Sequence, residues 1–351
     1  MDPRPAEIPL RAPVLVVGTG RCGSTALSAA AALHPCWLSL SELFSAFLPD
    51  PFPAGELTGP AFEALISEPR LDMRLALAHR LEPPEFLYPV DGGGRYTRET
   101  GVPPLSMVAL PHLVGVGDEL LDELRVAARA WPPAPASAHF RRLLDGLARR
   151  FGRSRWLERS GGSLAFLGPL LEAFPDAKVV HLWRDGLDCS ASMARHASFR
   201  LALVRREMRR RFGVDPFLTS ERPAALLASE LAPCLPERFD PEAFRALELP
   251  LAKFAGLWSS QLLMGLDRLA AVPSGRLLHL RFEELLDDPR GTLARFARFV
   301  DGEVPEPWLT EAAALVRPER PESAPPDPGA RVRRIVAEGH RQLRRAGVPG
   351  A

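Results

Sequence analysis

Residues 14–25 read Val14-Leu15-Val16-Val17-Gly18-Thr19-Gly20-Arg21-Cys22-Gly23-Ser24-Thr25, and this stretch decides the fold. Its four aliphatic residues, three of them β-branched, suit a strand buried on both faces. Gly18, Gly20 and Gly23 let the backbone turn sharply and approach a ligand closely. Ser24 and Thr25 open an Ala-rich helix over 24–33, whose free N–H groups and dipole favour an anion. Strand, glycine turn and helix start make a phosphate cradle with Gly20, Arg21, Cys22, Gly23, Ser24 and Thr25 facing the ligand. The spacing Gly18-x4-Gly23 fits the first half of a Walker A loop, but Ser24 stands where that loop carries its lysine. The basic group sits three residues upstream, at Arg21.

A second buried-strand run, Lys178 to Trp183, ends in Arg184-Asp185-Gly186-Leu187-Asp188-Cys189-Ser190-Ala191-Ser192. Arg184 falls at the C-terminal end of that strand, where open α/β sheets bind ligands. Ser192 lies two turns into the following helix, so Arg184 and Ser192 can grip one phosphate from two sides. Two weaker stretches follow the same pattern, Trp156-Leu157-Glu158-Arg159-Ser160 and Leu280-Arg281-Phe282-Glu283-Glu284-Leu285. Arg281 and Glu283 of the last stretch can also simply pair with each other.

Taken together, these segments resemble the sulfotransferases that use 3′-phosphoadenosine-5′-phosphosulfate, in order from about residue 13 to about residue 315. In that family a basic residue, one further residue, Gly and two hydroxyl residues hold the 5′-phosphosulfate. An Arg and a Ser eight residues later hold the 3′-phosphate. The resemblance assigns the first role to Arg21–Thr25 and the second to Arg184 and Ser192. Gly186 replaces the usual Pro, which loosens the turn but touches neither phosphate ligand. The C-terminal Arg-Lys-Gly loop of the cytosolic steroid and phenol enzymes has no counterpart here, so the bacterial and Golgi-type branches are the closer comparison.

The resemblance also implies a catalytic Glu one helix and one short connection beyond the loop. Glu42 follows Arg21 by 21 residues, just past the short strand 37–40, and is the first choice for the base. Read from the residues alone, Glu42 is instead a helix N-terminal acid with Ser39 or Ser41 as cap. Glu158 is the second choice. His181, mid-strand among apolar residues, reads as a buried, satisfied core histidine, while His34, His79 and His112 stay open as bases. Arg21 suits stabilisation of charge on the bridging oxygen. No metal is needed. The expected reaction moves a sulfuryl group from the phosphosulfate donor to a hydroxyl of a glycan, lipid or secondary metabolite. A P-loop kinase-like phosphotransferase is the alternative, opposed by the missing loop Lys and Walker B carboxylate, though Asp185 supplies a carboxylate at a strand end. A non-catalytic nucleotide-binding protein is a third.

The 351 residues carry 44 Lys and Arg against 43 Asp and Glu, so no basic field invites nucleic acid. Cys22, Cys36, Cys189 and Cys234 show no metal, redox or disulfide spacing, and Cys22 reads as a small filler of the loop. Cys22 to Ser41 carries no formal charge, yet Gly23, His34 and Pro35 exclude a membrane span. Without a signal pattern, the chain is expected to be cytoplasmic. Abundant Ala, Arg, Leu and Pro suggest a GC-rich, bacterial genome.

The fold class expected is α/β: a single domain over 13–316, with a P-loop-like parallel sheet flanked by helices. Strands are expected at 14–18, 37–40, 155–158, 178–183 and 276–281, with helices at 24–33, 163–174, 187–195 and 290–300. Mainly helical insertions over about 41–150 and 197–272 should supply the acceptor pocket, with Phe44, Phe47, Phe52, Phe86 and Tyr88 as possible lining. A Pro-rich arm over 317–330 and a basic helix and tail over 331–351 follow. Val332, Ile335, Val336 and Leu343 suggest that this helix docks on the body.

Overall fold

The structure, a computed structural model, describes residues 9–316, 325 and 327–351. The expected proline-rich arm falls largely outside them. Seven strands occur among the described residues: β1 (Val14–Val17), β2 (Trp37–Ser41), β3 (Glu56–Leu57), β4 (Ala134–Pro135), β5 (Arg155–Arg159), β6 (Lys178–Trp183) and β7 (Leu277–Arg281). Five of them form one sheet in the order β2-β5-β1-β6-β7, parallel throughout. The short β3 and β4 pair antiparallel inside the first insertion, a small sheet that its helical reading missed. The expected helix 163–174 is a 3-10 turn, Ser163–Phe166, followed by the α-helix Leu167–Ala173.

β1 and β2 are buried at every position, as a central parallel sheet requires. β5 is equally buried although it carries Arg155, Glu158 and Arg159. Arg155 is reconciled with the interior at the N-terminal end of the sheet. Its guanidinium donates to the Ala12 carbonyl and, at 3.0 Å, to Asp301, which also accepts from Trp37 Nε1 at 2.5 Å. That carboxylate therefore pins β2, β5 and the helix Pro289–Asp301 together at the end remote from the strand C-termini.

The aromatic residues offered as acceptor lining go mostly to the core. Phe44, Phe47 and Tyr88 are buried, and Phe44 packs on Phe52, Phe140 and Phe174 with ring centroids 5.2–5.6 Å apart. His181 is buried but not satisfied. Its Nδ1 lies 2.9 Å from Nδ1 of His279, its register partner on β7, while Nε2 has no hydrogen-bond partner. Burial pushes its pKa down to about 3 and so keeps the ring neutral.

The C-terminal helix, Ala330–Arg345, docks as its spacing suggests, burying Val332, Val336, Gly339 and Leu343. Its seat is the long helix Leu251–Ala270 together with Gly186–Arg195. Trp258 of the long helix is 1% exposed and wedged between two glycines. A Cβ on Gly186 would lie 2.5 Å from its ring, and one on Gly339 2.3 Å. This corrects the reading of Gly186 as a loosened turn: the residue is glycine because an indole fills the space beside it.

Gly186→Pro, which installs the residue that the resemblance leads one to expect here, should therefore destabilise. The new ring meets Trp258, and the Gly186 N–H that lies 3.4 Å from His340 Nε2 is lost. A loss of about 1–3 kcal/mol is expected in urea unfolding. Gly186→Ala isolates the steric part and should show most of it.

Candidate active site

All five strands of the main sheet end on one rim; Arg21, Glu42 and Arg184 each follow a strand end, and Glu158 is the penultimate residue of β5. The first of these connections is the glycine loop after β1. It is pressed from three sides, since a Cβ on Gly18 would lie 2.7 Å from the Leu182 carbonyl, one on Gly20 2.5 Å from Phe199, and one on Gly23 1.9 Å from Phe282. Gly20 and Gly23 take φ of 79° and 85°, and Arg21 between them takes φ 55°. Left-handed backbone at a non-glycine residue is uncommon and costs on the order of 1 kcal/mol. It persists here because the surrounding contacts fix the loop. The helix that follows, Ser24–Ala32, has no side-chain cap and no acidic residue in its first turn. Its positive end therefore has neither a capping side chain nor an acid of its own first turn.

Cys22 is buried with its Sγ against Gly18, and burial pushes the thiol pKa up. Its thiol fills the space beside Gly18. Ser24 is half-buried and Thr25 exposed.

Arg21, Arg184 and Ser192 converge. Arg21 Nε donates to Ser192 Oγ at 3.1 Å, and Arg184 lies 3.4 Å from the Arg21 carbonyl. Arg184 is 6% exposed, too buried for a surface ion pair, with its guanidinium 5.2 Å from the centroid of Phe282 and 3.5 Å from Asp188. The ring that fills the space beside Gly23 thus also carries Arg184. Asp185, the strand-end carboxylate of the kinase-like reading, is occupied otherwise. Its Oδ1 caps the helix Gly186–Arg195 by accepting from Leu187 and Asp188 N–H, and its Oδ2 lies 3.1 Å from His340 Nε2. Arg281 and Glu283 do pair, at 3.0 Å, and Glu283 also accepts from the Asp185 N–H. The last stretch of the sequence pattern therefore buttresses the turn behind Arg184.

Glu42 does not cap a helix. It has φ 55° and precedes a 3-10 turn without a side-chain cap, while Ser39 and Ser41 bond to Ser28 at 3.0 and 2.9 Å. Its Oε1 accepts from Arg159; its Oε2 accepts from Ser45 Oγ at 2.7 Å and the Gly161 N–H at 2.9 Å. The neighbouring Gly162 N lies 3.1 Å from where a Cβ on Gly20 would stand. One glycine pair thus separates the Glu42 carboxylate from the glycine loop. Glu158 is placed differently. It is fully buried, with Oε1 accepting from Ser160 Oγ at 2.6 Å and the Phe44 N–H at 3.4 Å. Burial first, and the charge of Glu42 after it, push its pKa up to about 7 against the lowering effect of these donors and Arg159. Of the open histidines, His34 stacks on Trp37 in the core, and burial lowers it to about 4. His112 is lowered by burial and then by Arg159.

Two groups at this rim escaped the sequence reading. Glu85, in the irregular segment between the helices Leu71–Ala78 and Pro104–Met107, accepts from Arg21 with Oε1, and its Oε2 lies 3.0 Å from His196 Nε2. Arg159 faces Glu42. Only the weak Trp-Leu-Glu-Arg-Ser stretch marked Arg159, and nothing local marked Glu85. A cleft of about 500 Å³ near Phe52, Pro53, Phe166 and Glu172 has neither Arg21 nor Glu42 in its lining and lies apart from this cluster. Among the described residues there is no group of three His, Cys, Asp or Glu able to hold a metal, and no helix long and apolar enough to cross a membrane.

The sequence profile of the sulfotransferase family matches residues 13–240. Solved structures similar to this chain include the sulfotransferase domain of the Synechococcus PCC 7002 olefin synthase, 16% identical over 95% of this chain and 96% of that one, with a TM-score of 0.47. Mycobacterium tuberculosis sulfotransferase STF1 is 19% identical over 95% and 77%, with a TM-score of 0.45. A retinol dehydratase solved with androsterone and the inactive cofactor PAP is 13% identical over 97% and 82%, with a TM-score of 0.29. No curated protein sequence matches.

The raised pKa of Glu158 has a measurable consequence. Between its ordinary value and about 7 the folded protein binds the proton more tightly than the unfolded chain, so this group lowers stability as pH rises through that window. Glu158→Gln removes the term. The loss of urea-unfolding free energy between pH 5 and pH 8 should shrink by on the order of 2 kcal/mol relative to wild type. Equal losses in the two proteins would contradict the assignment.

Proposed function

The chain belongs to the sulfotransferase family, and from that premise we propose that it moves a sulfuryl group from 3′-phosphoadenosine-5′-phosphosulfate to a hydroxyl of a small molecule, glycan or lipid. The observation that carries the donor assignment is the meeting of Arg21, Arg184 and Ser192, brought from two strand ends onto one rim beside an uncapped helix start. A ligand with two separated anionic ends fits this arrangement. Gly20, Gly23, Ser24, Thr25 and Arg21 would take the 5′ end, and Arg184 with Ser192 the 3′-phosphate. Ser192 Oγ accepts from Arg21, and its own hydrogen stays available to donate to a phosphate oxygen.

The donor supplies the group that moves, and the residues of the chain do the rest. Arg21, held in a left-handed turn, stabilises the negative charge that gathers on the bridging oxygen as the bond to sulfur breaks. Glu42 takes the proton of the acceptor hydroxyl as its oxygen attacks. Arg159, Ser45 and Gly161 orient this carboxylate, and an ionised carboxylate has about four acceptor sites, so these donors leave room for the substrate hydroxyl. Glu158, buried among Phe44 and Ser160, is the support of the strand end rather than the base.

Substitutions at three positions test this reading. Arg184→Ala should weaken binding of adenosine 3′,5′-bisphosphate far more than that of adenosine 5′-phosphosulfate, which lacks the 3′-phosphate; equal losses by calorimetry would remove Arg184 from the role. Arg21→Ala should cut turnover by about 10²–10³, with Arg21→Lys retaining part of it because the charge survives without the fork. Glu42→Gln should lower turnover by about 10²–10⁴ while bisphosphate affinity stays within a few-fold. A screen of hydroxylated glycans, lipids and phenols with labelled donor supplies the acceptor for the last two.

A further inference from the structure

The Glu85 carboxylate has no part in the reaction as described, yet it touches the residue on which that reaction most depends. It reaches Arg21 from the first insertion, the side expected to bind the acceptor. Its two oxygens are divided between Arg21 and His196, and both ends of the Arg21–Glu85 pair are partly open, at 29% and 18% of side-chain surface. Burial alone would push the Glu85 carboxyl up, but the hydrogen bond from His196 and the charges of His196 and Arg21 bring it down to about 2. Glu85 is thus an anion at any ordinary pH. A guanidinium already paired with an internal anion has less attraction left for the anion of a ligand.

We propose that Glu85 is a positioning residue that holds Arg21 toward the acceptor side of the cradle and competes with the 5′ anion of the donor for its guanidinium. This rests on the donor assignment above. Ser192 on Nε and Glu85 on NH1 together fix the guanidinium plane. When a donor phosphate draws Arg21 away, His196 keeps the second oxygen of Glu85. His196 is the C-cap residue of the helix that carries Ser192. The turn bearing Glu85 therefore stays beside the site while its charge is freed. Donor binding and the placement of the acceptor-side segment become one exchange of an ion pair, and each must affect the other by the same factor.

The test needs no acceptor. Adenosine 3′,5′-bisphosphate is titrated calorimetrically into wild type, Glu85→Gln, Arg21→Ala and the double variant, with Glu85→Asp as a shorter carboxylate that keeps the charge. Glu85→Gln should bind about 10-fold more tightly than wild type, and this gain should vanish when Arg21 is Ala. Glu85→Asp should fall between wild type and Glu85→Gln. Unchanged or weaker binding by Glu85→Gln would overturn the proposal, because a merely supporting side chain gives that result. An equal gain in both backgrounds would overturn it too, since the effect would then not pass through Arg21. A wild-type protein that does not bind the bisphosphate removes the donor assignment itself, and the proposal with it.

Discussion

The rim of this protein depends on the absence of three side chains. Gly18, Gly20 and Gly23 each face an atom from a different part of the chain, closer than any Cβ can stand: the Leu182 carbonyl, Phe199 and Phe282. Because the loop is pinned on all three sides, Arg21 has no choice of direction and accepts left-handed backbone. The same contacts bring β6, the helix Ala197–Phe212 and the helix after β7 against the glycine loop. A steric constraint of this kind is short-ranged and unforgiving, unlike the charges around it.

Those charges are arranged in pairs. Arg21 faces Glu85, Arg159 faces Glu42 and Arg184 lies near Asp188. Three guanidiniums at one rim would repel each other in a poorly solvated space, and each carboxylate moderates that cost. The arrangement is not uniform in depth. Arg159 and Arg184 are nearly buried, whereas Arg21 keeps 29% of its side-chain surface. The most accessible of the three cations is also the one in the glycine loop.

Much of this was legible in the sequence where the signal is local. The strand–glycine–helix run and the Arg184-to-Ser192 spacing each lie within a dozen residues, and backbone geometry turns such spacing directly into position. The parallel sheet followed from the same apolar runs. What stayed hidden is long-range pairing. Glu85 is 64 residues from Arg21 and Glu42 is 117 from Arg159, and both acids sit in irregular backbone where no periodicity assigns a direction. His181 could be read as buried, but its neighbour His279 follows from a strand order that no single segment encodes. Gly186 was misread for the same reason: the indole that needs its space comes from residue 258.

The docking of the last helix has a bearing on how the protein is made. His340 holds Asp185, the residue after Arg184, and Gly339 completes the slot around Trp258 that Gly186 begins. The glycine loop leaves the ribosome more than 300 residues before these closing pieces. At about 5–20 residues per second, the nascent chain carries an open rim for many seconds before its own C-terminal helix can seat. A chain stopped short of residue 339 would retain its sheet strands and its glycine loop, yet lack the wall behind the Arg184–Gly186 turn. Synthesis of that helix, rather than folding of the sheet, is then the event that finishes the rim beside Arg184.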